Sequence, residues 1–491
     1  MHRQRPCVVG VCNRQRAGVR EVVTVTIVTR RGFVASAAAA AFVGAACAAP
    51  ELLPGKGGAV ALAEGDAQLR TTNGVCTECP ARCALSATVR GDLIVNARPS
   101  SGGTGGGSAL CALGYAGMAA KGAAAIAAPV PSDAWDEGLS ENSALLGQVE
   151  DGSCAAGEFG SALAAGVAEV LGCSAWRFDA RNARAALVLS QGHASDRRPA
   201  FLQGLKEACD NGARLFVAAS VLPDGAQYMG SWLAVRPGTE LALLLSVAHR
   251  LVHNGTYAKD ALGGAGIDIS ALAPVLAPCN LEWAEQVTGL GASQIDQVAE
   301  TLWQGAPASF VDFGWECASG PGYANTQATA RAAVLVNLLL GAWGQRGGAL
   351  CVPAAGEASQ DAGEFSPAVV APGIVQGLVW EEPFDPCADG ELACVGGVAS
   401  SSAQAPSGDN PYMADIAKGY GFDNVWLCPQ DAEARGIADG DVVVVEGTAV
   451  GSVVAPANVT ARVRPGAIYV PAVQELQELV QAGVRVMKVG A

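Results

Sequence analysis

The clearest pattern of apolar and polar positions lies between residues 185 and 219. Residues 185–192 begin with five apolar residues and end in glycine, residues 197–212 carry apolar positions at helical spacing, and residues 215–219 form a second apolar run after Arg214. A strand, a helix and a strand at this spacing predict a βαβ unit and therefore a parallel sheet. Ligands of such sheets bind beyond the carboxyl ends of the strands, which makes residues 191–195 a candidate binding loop.

Two further helices are predicted from residues that are typical of helix caps. The first covers residues 240–254, where Thr239 is a suitable N-cap and Gly255 terminates the pattern. The second begins at Ser293, with Asp296 as the capping-box partner. Both helices follow the βαβ unit and extend the predicted α/β region.

After residue 307, the sequence predicts the end of the α/β region, then a linker, and then a region of short strands. A strand at 308–313 and a long apolar helix at 325–340 complete the α/β region. Residues 353–420 are rich in alanine, glycine, serine and proline without a clear period, which predicts a linker or an eroded segment. From Val425 onward, short strands and tight turns predict a small β-barrel.

The N-terminal region has the pattern of an export signal. Arg30 and Arg31 precede Phe33 and an alanine-rich apolar run, and small residues follow at 46–48. A basic flank, an apolar segment and small residues predict a signal peptide, and the twin arginine assigns it to the Tat class. The alternative is a chance arginine pair before an apolar run. The prediction places the mature protein in the periplasm or on the outer face of the cytoplasmic membrane.

Composition narrows the possible functions. The chain has 491 residues, of which 50% are hydrophobic, and a formal net charge of −15. Such a charge repels nucleic acids and anionic lipid surfaces, so neither is an expected partner. Only 4 histidines and no Gly-x-Ser-x-Gly elbow argue against a serine hydrolase.

Four cysteines form the strongest chemical motif. Cys76, Cys79 and Cys83 are closely spaced, and Cys111 follows after a glycine-rich stretch. Thiolates in this arrangement hold [4Fe–4S] clusters. A structural zinc site and, in an exported protein, disulfides are the alternatives. Tat export carries folded proteins, so a cluster assembled in the reducing cytoplasm is compatible with the predicted signal.

Together with these cysteines, three further motifs in the same order resemble the molybdopterin oxidoreductases of the dimethyl-sulfoxide-reductase family. Residues 135–139 are similar to the family's Trp-Asp-Glu-Ala-Leu element, and residues 236–240, followed by Ala242 and Leu243, to its nucleotide-binding turn. Residues 429–441 resemble the opening of its C-terminal dinucleotide-binding barrel.

The resemblance implies a fold, cofactors and site residues. It implies an α/β chain with an N-terminal iron–sulfur domain, central parallel-sheet nucleotide-binding domains and a C-terminal β-barrel. It also implies a [4Fe–4S] cluster and a bis-molybdopterin guanine dinucleotide with molybdenum or tungsten. The metal ligand would be Cys154, with Ser153 as the second choice and a plain half-buried cysteine as the alternative. The cofactor-binding residues would be Gly192, Arg236, Pro237, Gly238, Thr239, Glu240, Pro429 and Asp431.

The predicted organisation follows from these motifs. It comprises a Tat signal peptide at 1–49, a [4Fe–4S] domain at 66–125, a central molybdopterin-binding region at 126–352, a linker or eroded segment at 353–420 and a barrel at 421–491.

Several family positions differ in this chain. Leu113 stands where Lys or Arg is usual, Ala194 where Asn is usual, Ala219 in place of an Asp, and Glu240 in place of another Asp. The chain is also shorter than full-length catalytic members of the family.

Two functions are compatible with these observations. The first is the catalytic subunit of an exported oxidoreductase, relaying electrons through the cluster to the metal centre and acting on a small substrate, for which a sulfur compound is one candidate. Its expected partner is a ferredoxin-like iron–sulfur subunit, and a membrane anchor subunit is a further candidate partner. The second is a shortened, non-catalytic paralogue that serves as an electron-relay or structural subunit.

Overall fold

The fold is known from a computed structural model, which describes fifteen stretches of the chain. These are residues 69–76, 84–91, 93–99, 110–122, 126–131, 175–190, 199–223, 226, 230–312, 323–352, 378–383, 387–397, 410–447, 452–471 and 483–490. All of them belong to one compact unit, Ala67–Ala491. The predicted signal peptide lies outside the described residues, as do Cys79, Cys83, residues 135–139, Ser153, Cys154, Gly192 and Ala194.

An antiparallel sheet opens the described chain. Its strands are β1 (Arg70–Cys76), β2 (Ala84–Arg90), β3 (Leu93–Pro99) and β4 (Ile126–Pro131), in the order β3-β2-β1-β4. Helix α1 (Ala112–Lys121) follows β3 in the chain. Alternate residues of β2, such as Leu85 and Val89, are buried in a cluster that includes Cys76 and Met118 of α1. This packing places the last residue of β1 against the helix that begins after Cys111.

The predicted parallel sheet is confirmed. It consists of β6 (Ala185–Ser190), β7 (Arg214–Ala219), β8 (Ser231–Leu233) and β9 (Ser309–Asp312), in the order β8-β7-β6-β9 with parallel pairs throughout. Helix α2 (Pro199–Asp210) connects β6 to β7, as the βαβ pattern predicts. A smaller antiparallel pair joins β5 (Ala175–Phe178) to β10 (Ala349–Val352).

Helices cover the parallel sheet. They are α3 (Glu240–His253), α4 (Lys259–Gly264), α5 (Ile269–Leu276), α6 (Leu281–Thr288), α7 (Ala292–Gly305) and α8 (Thr326–Leu339). Residues 240–248 of α3 are all buried, because neighbouring helices and the sheet surround this helix. The apolar runs of α3 and α8 therefore form the interior of the central core.

The predicted start of α7 needs one correction. Gly291 precedes the helix, and its N–H donates to the Gln294 side chain at 3.0 Å, which is the contact that the prediction assigned to Asp296. The Asp296 carboxylate instead forms an ion pair with Arg250 of α3, with an N–O distance of 2.7 Å. Because the N-cap is Gly291 and not Ser293, Asp296 lies two positions beyond the capping-box partner Gln294 and is available to pair with Arg250.

Strand β9 lies at the edge of the parallel sheet, where Asn337 of α8 takes the place of a further strand. The N–H of Val311 donates to Asn337 Oδ1 at 2.8 Å, and Asn337 Nδ2 donates to the Val311 carbonyl at 2.9 Å. Asn337 is fully buried. One amide side chain therefore satisfies both outward backbone groups of Val311.

We expect Asn337→Ala to lower the free energy of unfolding by about 2–3 kcal/mol, because two buried backbone groups lose their partner. Urea denaturation followed by circular dichroism measures the change. Asn254→Ala, at an exposed position after α3, serves as the control and is expected to change stability little. An equal, small effect of both substitutions would contradict this role of Asn337.

The C-terminal part forms the predicted barrel. Its strands are β11 (Leu392–Gly397), β12 (Val425–Leu427), β13 (Val442–Gly447), β14 (Ser452–Val459), β15 (Ala467–Pro471) and β16 (Gly483–Lys488), closed in the order β11-β15-β12-β14-β13-β16. Helix α9 (Pro411–Tyr420) precedes β12, and α10 (Pro429–Glu433) follows it. Strand β11 and helix α9 both lie within the stretch 353–420, for which the sequence pattern predicts a linker. The glycine-rich sequence of strand β11 does not alternate between apolar and polar residues, since its described residues are buried on both faces.

The barrel contacts the carboxyl end of β7. The N–H of Leu222 donates to the Arg462 carbonyl at 2.7 Å, and the N–H of Arg464 donates to the Ser220 carbonyl at 3.1 Å. The Arg462 guanidinium also donates to the Leu222 carbonyl at 2.9 Å and lies 4.7 Å from the centre of the Trp426 ring. We call this pairing of residues 220–222 with 462–464 the junction. In the described parts of the chain, no helix is long and apolar enough to cross a membrane.

Candidate functional site

The described cysteines of the predicted cluster motif lie at one end of α1. Cys76 is 4% exposed, and a Cβ placed on Gly114 would lie 3.3 Å from the Cys76 Sγ atom. Cys111 is the N-cap residue of the same helix. No disulfide joins either residue within the described chain. Cys76 thus lies against Gly114, which follows Cys111 by about one helical turn.

The cluster itself stays a prediction. The described residues contain no group of three or more His, Cys, Asp or Glu side chains that would hold a metal ion, and Cys79 and Cys83 lie outside them. A two-cysteine arrangement is compatible with the iron–sulfur interpretation and with the zinc alternative.

Leu113 is part of an apolar contact between α1 and the barrel helix α9. It is 6% exposed and clusters with Ala116 and Met413, while Ile416 packs beside them. A lysine or arginine, which the family resemblance leads one to expect here, would place a charge in this apolar contact. In this chain, Leu113 therefore packs helix α1 against helix α9.

The turn at residues 236–240 is rigidly held. The N–H of Arg236 donates to the Thr288 carbonyl at 3.0 Å, and the N–H of Thr239 donates to the Arg236 carbonyl at 3.1 Å. Thr239 precedes α3 as predicted, and its hydroxyl donates back to the Arg236 carbonyl at 2.7 Å. Gly238 has a φ of +75°, a left-handed conformation that favours glycine.

Two arginine side chains meet beside this turn. A Cβ placed on Gly289 would lie 2.9 Å from Arg464 Nη2 and 3.5 Å from Arg236 Nε. Arg236 is held in place by donating to the carbonyls of Gln286 and Val287, the second at 3.1 Å. Because Gly289 has no side chain, both guanidinium groups approach the same place. We call Arg236, Gly289 and Arg464 the arginine pair site.

The charge of Arg464 is poorly compensated. Burial, and after it the charge of the neighbouring Arg236, lowers the pKa of Arg464 to about 10, although Asp431 and Cys428 act in the opposite direction. Arg464 is still protonated at neutral pH. Two like charges next to each other in a half-buried place favour the binding of an anion, because an anion reduces their repulsion.

Asp431 links the barrel turn to helix α10. Its Oδ2 atom accepts the Gly466 N–H at 2.7 Å and the Cys428 thiol at 3.1 Å, while the Asp431 N–H donates to the Cys428 sulfur. Burial, followed by the hydrogen bond to Asp431, raises the pKa of Cys428, so the thiol stays protonated as a donor. Pro429 begins α10, where a missing N–H costs nothing. The predicted residues Pro429 and Asp431 thus fix the turn that carries Arg464.

The other end of the 236–240 turn faces the protein interior. Glu240 is fully buried and lies near Tyr323, since burial and then the Glu240 charge raise the pKa of the Tyr323 phenol. Asn325 Nδ2 donates to the Gly238 carbonyl at 2.8 Å and to the Glu381 carbonyl at 3.1 Å. Arg236 and Glu240 belong to the same sequence motif, but Arg236 is exposed and Glu240 is fully buried.

Arg464 and Asn325 were not among the residues predicted from the sequence. Arg464 stands before Pro465 and Gly466, a pattern that indicates only a turn. Its neighbour Arg236 belongs to another domain, so no local signal identifies the pair. Gly192 and Cys154 lie outside the described residues, and their assignment stays a prediction.

Comparison with known proteins identifies the C-terminal domain. Residues 407–486 match the family described as Molydopterin dinucleotide binding domain. This match covers helix α9 and most of the barrel.

Two characterised proteins share sequence with parts of the chain. The menaquinone reductase, molybdopterin-binding-like subunit of Nitratidesulfovibrio vulgaris is 29% identical over 164 residues, which are 33% of this chain and 22% of that protein. The dimethyl sulfoxide/trimethylamine N-oxide reductase of Cereibacter sphaeroides is 29% identical over 119 residues, which are 23% of this chain and 14% of that protein. Each match thus spans less than a quarter of the relative.

Among solved structures, acetylene hydratase from Pelobacter acetylenicus superposes with a TM-score of 0.41 and 15% identity, covering 57% of this chain and 44% of that one. The identification rests instead on the barrel, whose sequence matches the dinucleotide-binding family, and on the two sequence relatives. Residues 407–486 therefore belong to the dinucleotide-binding domain family, and other parts of the chain are similar to two molybdopterin proteins.

Proposed function

We propose that this chain is the molybdopterin-binding subunit of an exported oxidoreductase that works with partner subunits. The observation that carries the proposal is the arginine pair site at the junction of the parallel sheet and the barrel. Arg236 belongs to the 236–240 turn, and Arg464 lies on the turn that Asp431 of the Pro429–Glu433 helix holds. The family resemblance assigns both motifs to cofactor binding.

The residues present fit the anionic part of a pterin dinucleotide. Such a cofactor carries a pyrophosphate, and guanidinium groups donate paired hydrogen bonds to phosphate oxygens. Burial and the nearby Arg236 destabilise the charged form of Arg464. An anion bound between the two guanidinium groups would therefore stabilise the charges of both arginines. Because Gly289 has no side chain, both guanidinium groups lie close to its backbone and to each other.

The chain's own residues have distinct parts in this proposal. Arg236 and Arg464 would bind the phosphates, Asp431 would orient the turn that carries Arg464, and the Leu113–Met413 contact would hold the cysteine-bearing helix against the barrel. When bound, a molybdenum or tungsten pterin centre supplies two-electron redox chemistry, and an iron–sulfur cluster supplies single-electron transfer. Cys76, Cys79, Cys83 and Cys111 remain the proposed cluster ligands and Cys154 the proposed metal ligand.

Partner chains are part of the proposal. The relative from Nitratidesulfovibrio vulgaris is named as one subunit of a menaquinone reductase, which supports a multi-subunit assembly here. We propose a ferredoxin-like iron–sulfur subunit and a membrane anchor subunit as partners, and export by the Tat route. The sulfur-compound substrate stays a prediction.

The test is metal analysis of the whole protein. The protein is purified anaerobically from a host that makes the pterin cofactor, and iron, molybdenum and tungsten are measured per chain. About four irons with a stoichiometric amount of molybdenum or tungsten would support the proposal. Absence of both pterin metals after expression in such a host would refute it.

A second candidate is a non-catalytic subunit that keeps the scaffold. The observation that favours it is Leu113, which is buried against Met413 where a charged residue is usual. The relative named as a molybdopterin-binding-like subunit also favours it. Iron without molybdenum or tungsten in the same analysis would support this candidate over the first.

A further inference from the structure

We propose that His249 and His253 of helix α3 form a binding site for a divalent transition-metal ion such as Ni²⁺ or Cu²⁺. The two residues are one helical turn apart, and their rings stack with centroids 5.5 Å apart and an angle of 18° between the planes. Residues at this spacing lie on the same face of a helix. The site is separate from the cysteine motif and from the arginine pair site, and it does not depend on the proposed function.

The chemistry of the histidine pair suits metals of this class. Neutral imidazole is a good ligand of Cu²⁺ and Ni²⁺, and two histidines at positions i and i+4 of a helix bind the zinc ion of metalloproteases. Arg250 stands where those enzymes have their catalytic glutamate. The pair is therefore suited to binding a metal ion, and it lacks the general base that hydrolysis requires.

The end of helix α3 holds His253 in place. Gly255 has a φ of +67°, and the N–H of Thr256 after it donates to the Leu251 carbonyl at 2.9 Å. This arrangement is a Schellman motif, which closes the last turn and fixes the backbone that carries His253. The carboxyl end of a helix also carries a partial negative charge, which favours a cation there.

Both rings are within reach of an ion from solvent. His253 is exposed and His249 is half-buried, and because the Nδ1 atom of His249 is buried, a metal reaches that ring at Nε2. Burial, and after it the charges of His253 and Arg250, lowers the pKa of His249, so this ring is neutral at pH 7. The Arg250 charge, which would repel a cation, is compensated by the ion pair with Asp296.

The two histidines supply only part of a coordination sphere. Within the described stretches of the chain, no group of three or more His, Cys, Asp or Glu side chains would hold a metal ion. Water therefore fills the remaining positions around the ion. We expect a lower affinity than that of a structural zinc site, whose four ligands all come from the protein.

The test is the binding of NiCl₂ to the untagged, anaerobically purified full-length protein, measured by equilibrium dialysis. We expect His249→Ala and His253→Ala each to weaken nickel binding about tenfold or more, because the second ligand no longer adds to the first. The matched control is the double variant His253→Ala/Asn254→His. It keeps the number of histidines but moves the second one by about 100° around the helix, so it is expected to bind as weakly as His253→Ala.

Two further comparisons isolate the histidine pair. Every variant keeps the same cysteines, so nickel that is bound by thiolates is common to all of them. His193→Ala removes one of the 4 histidines of the chain but leaves the pair intact, and it is expected to bind nickel as tightly as the unmodified protein. Circular dichroism confirms that each variant is folded.

Three outcomes would overturn the inference. If the unmodified protein and both single variants bind nickel equally, the ion is held elsewhere in the chain. If the double variant regains the full affinity, the spacing of one turn has no part in binding. Absence of nickel binding by the folded, unmodified protein would also refute the site, whatever its content of iron, molybdenum or tungsten.

Discussion

Replacement of Cys76 by serine is expected to leave the anaerobically purified protein without its iron. Cys76 is 4% exposed, at the end of β1, and its Sγ atom lies against α1 close to Cys111. A [4Fe–4S] cluster needs four thiolates, and a serine hydroxyl is a poor substitute for one of them. Iron and acid-labile sulfide per chain, together with the visible absorption of the cluster, measure the loss.

The matched control is Cys209→Ser. Cys209 is a half-buried cysteine of α2 that packs beside an apolar cluster remote in sequence from the motif, so its removal is expected to leave the iron content unchanged. Cys111→Ser is expected to behave like Cys76→Ser. Full iron content in Cys76→Ser would contradict the assignment, and stoichiometric zinc in the unmodified protein would favour the zinc alternative.

Gly238→Ala is expected to destabilise the protein by about 3 kcal/mol, the sum of a backbone cost and an overpacking cost. The φ of +75° is unfavourable for alanine, and the added methyl group would overlap the Pro383 ring and approach Tyr323. Pro383 is buried, and its carbonyl accepts a hydrogen bond from the Ala324 N–H at 3.2 Å, so it has little room to move. The change in the urea midpoint of unfolding measures the effect.

Gly436→Ala separates the two contributions. Gly436 has a similar φ of +62°, but a Cβ there would meet no atom within 4 Å. This variant is therefore expected to lose only the backbone term, about 1 kcal/mol. If both alanine variants lose the same amount, the close packing of Pro383 on the turn does not contribute to stability.

Elements with strong local signals were predicted well from the sequence. Strand β7 has the predicted ends Arg214 and Ala219, because a continuous apolar run is bounded by polar residues and buried in the sheet. Helix α3 begins at Glu240 as predicted and ends one residue earlier, at His253. In both cases the pattern of burial follows directly from the local sequence.

Elements that depend on distant partners were not predicted. Strand β11 has a glycine-rich sequence without alternation, and it becomes a strand by pairing with β15 and β16 of the barrel. Asp296 has the sequence position of a capping residue, yet it pairs with Arg250, which is 46 positions away. Propensity is a weak guide where such tertiary contacts compete with it.

The sequence by itself predicted the βαβ unit, the barrel and the motif at residues 236–240, and it showed the resemblance to the molybdopterin oxidoreductases. Only the tertiary structure decided which side chains of that motif lie beside Arg464 and which belong to the core. Arg462 and Leu222 are joined across 240 positions, and this pairing brings Arg464 next to Arg236. Tyr323 and Pro383 close over Gly238 and Glu240 in the same way. Such contacts form because folding brings distant segments together, and a local pattern of residues carries no information about which distant segment will cover it.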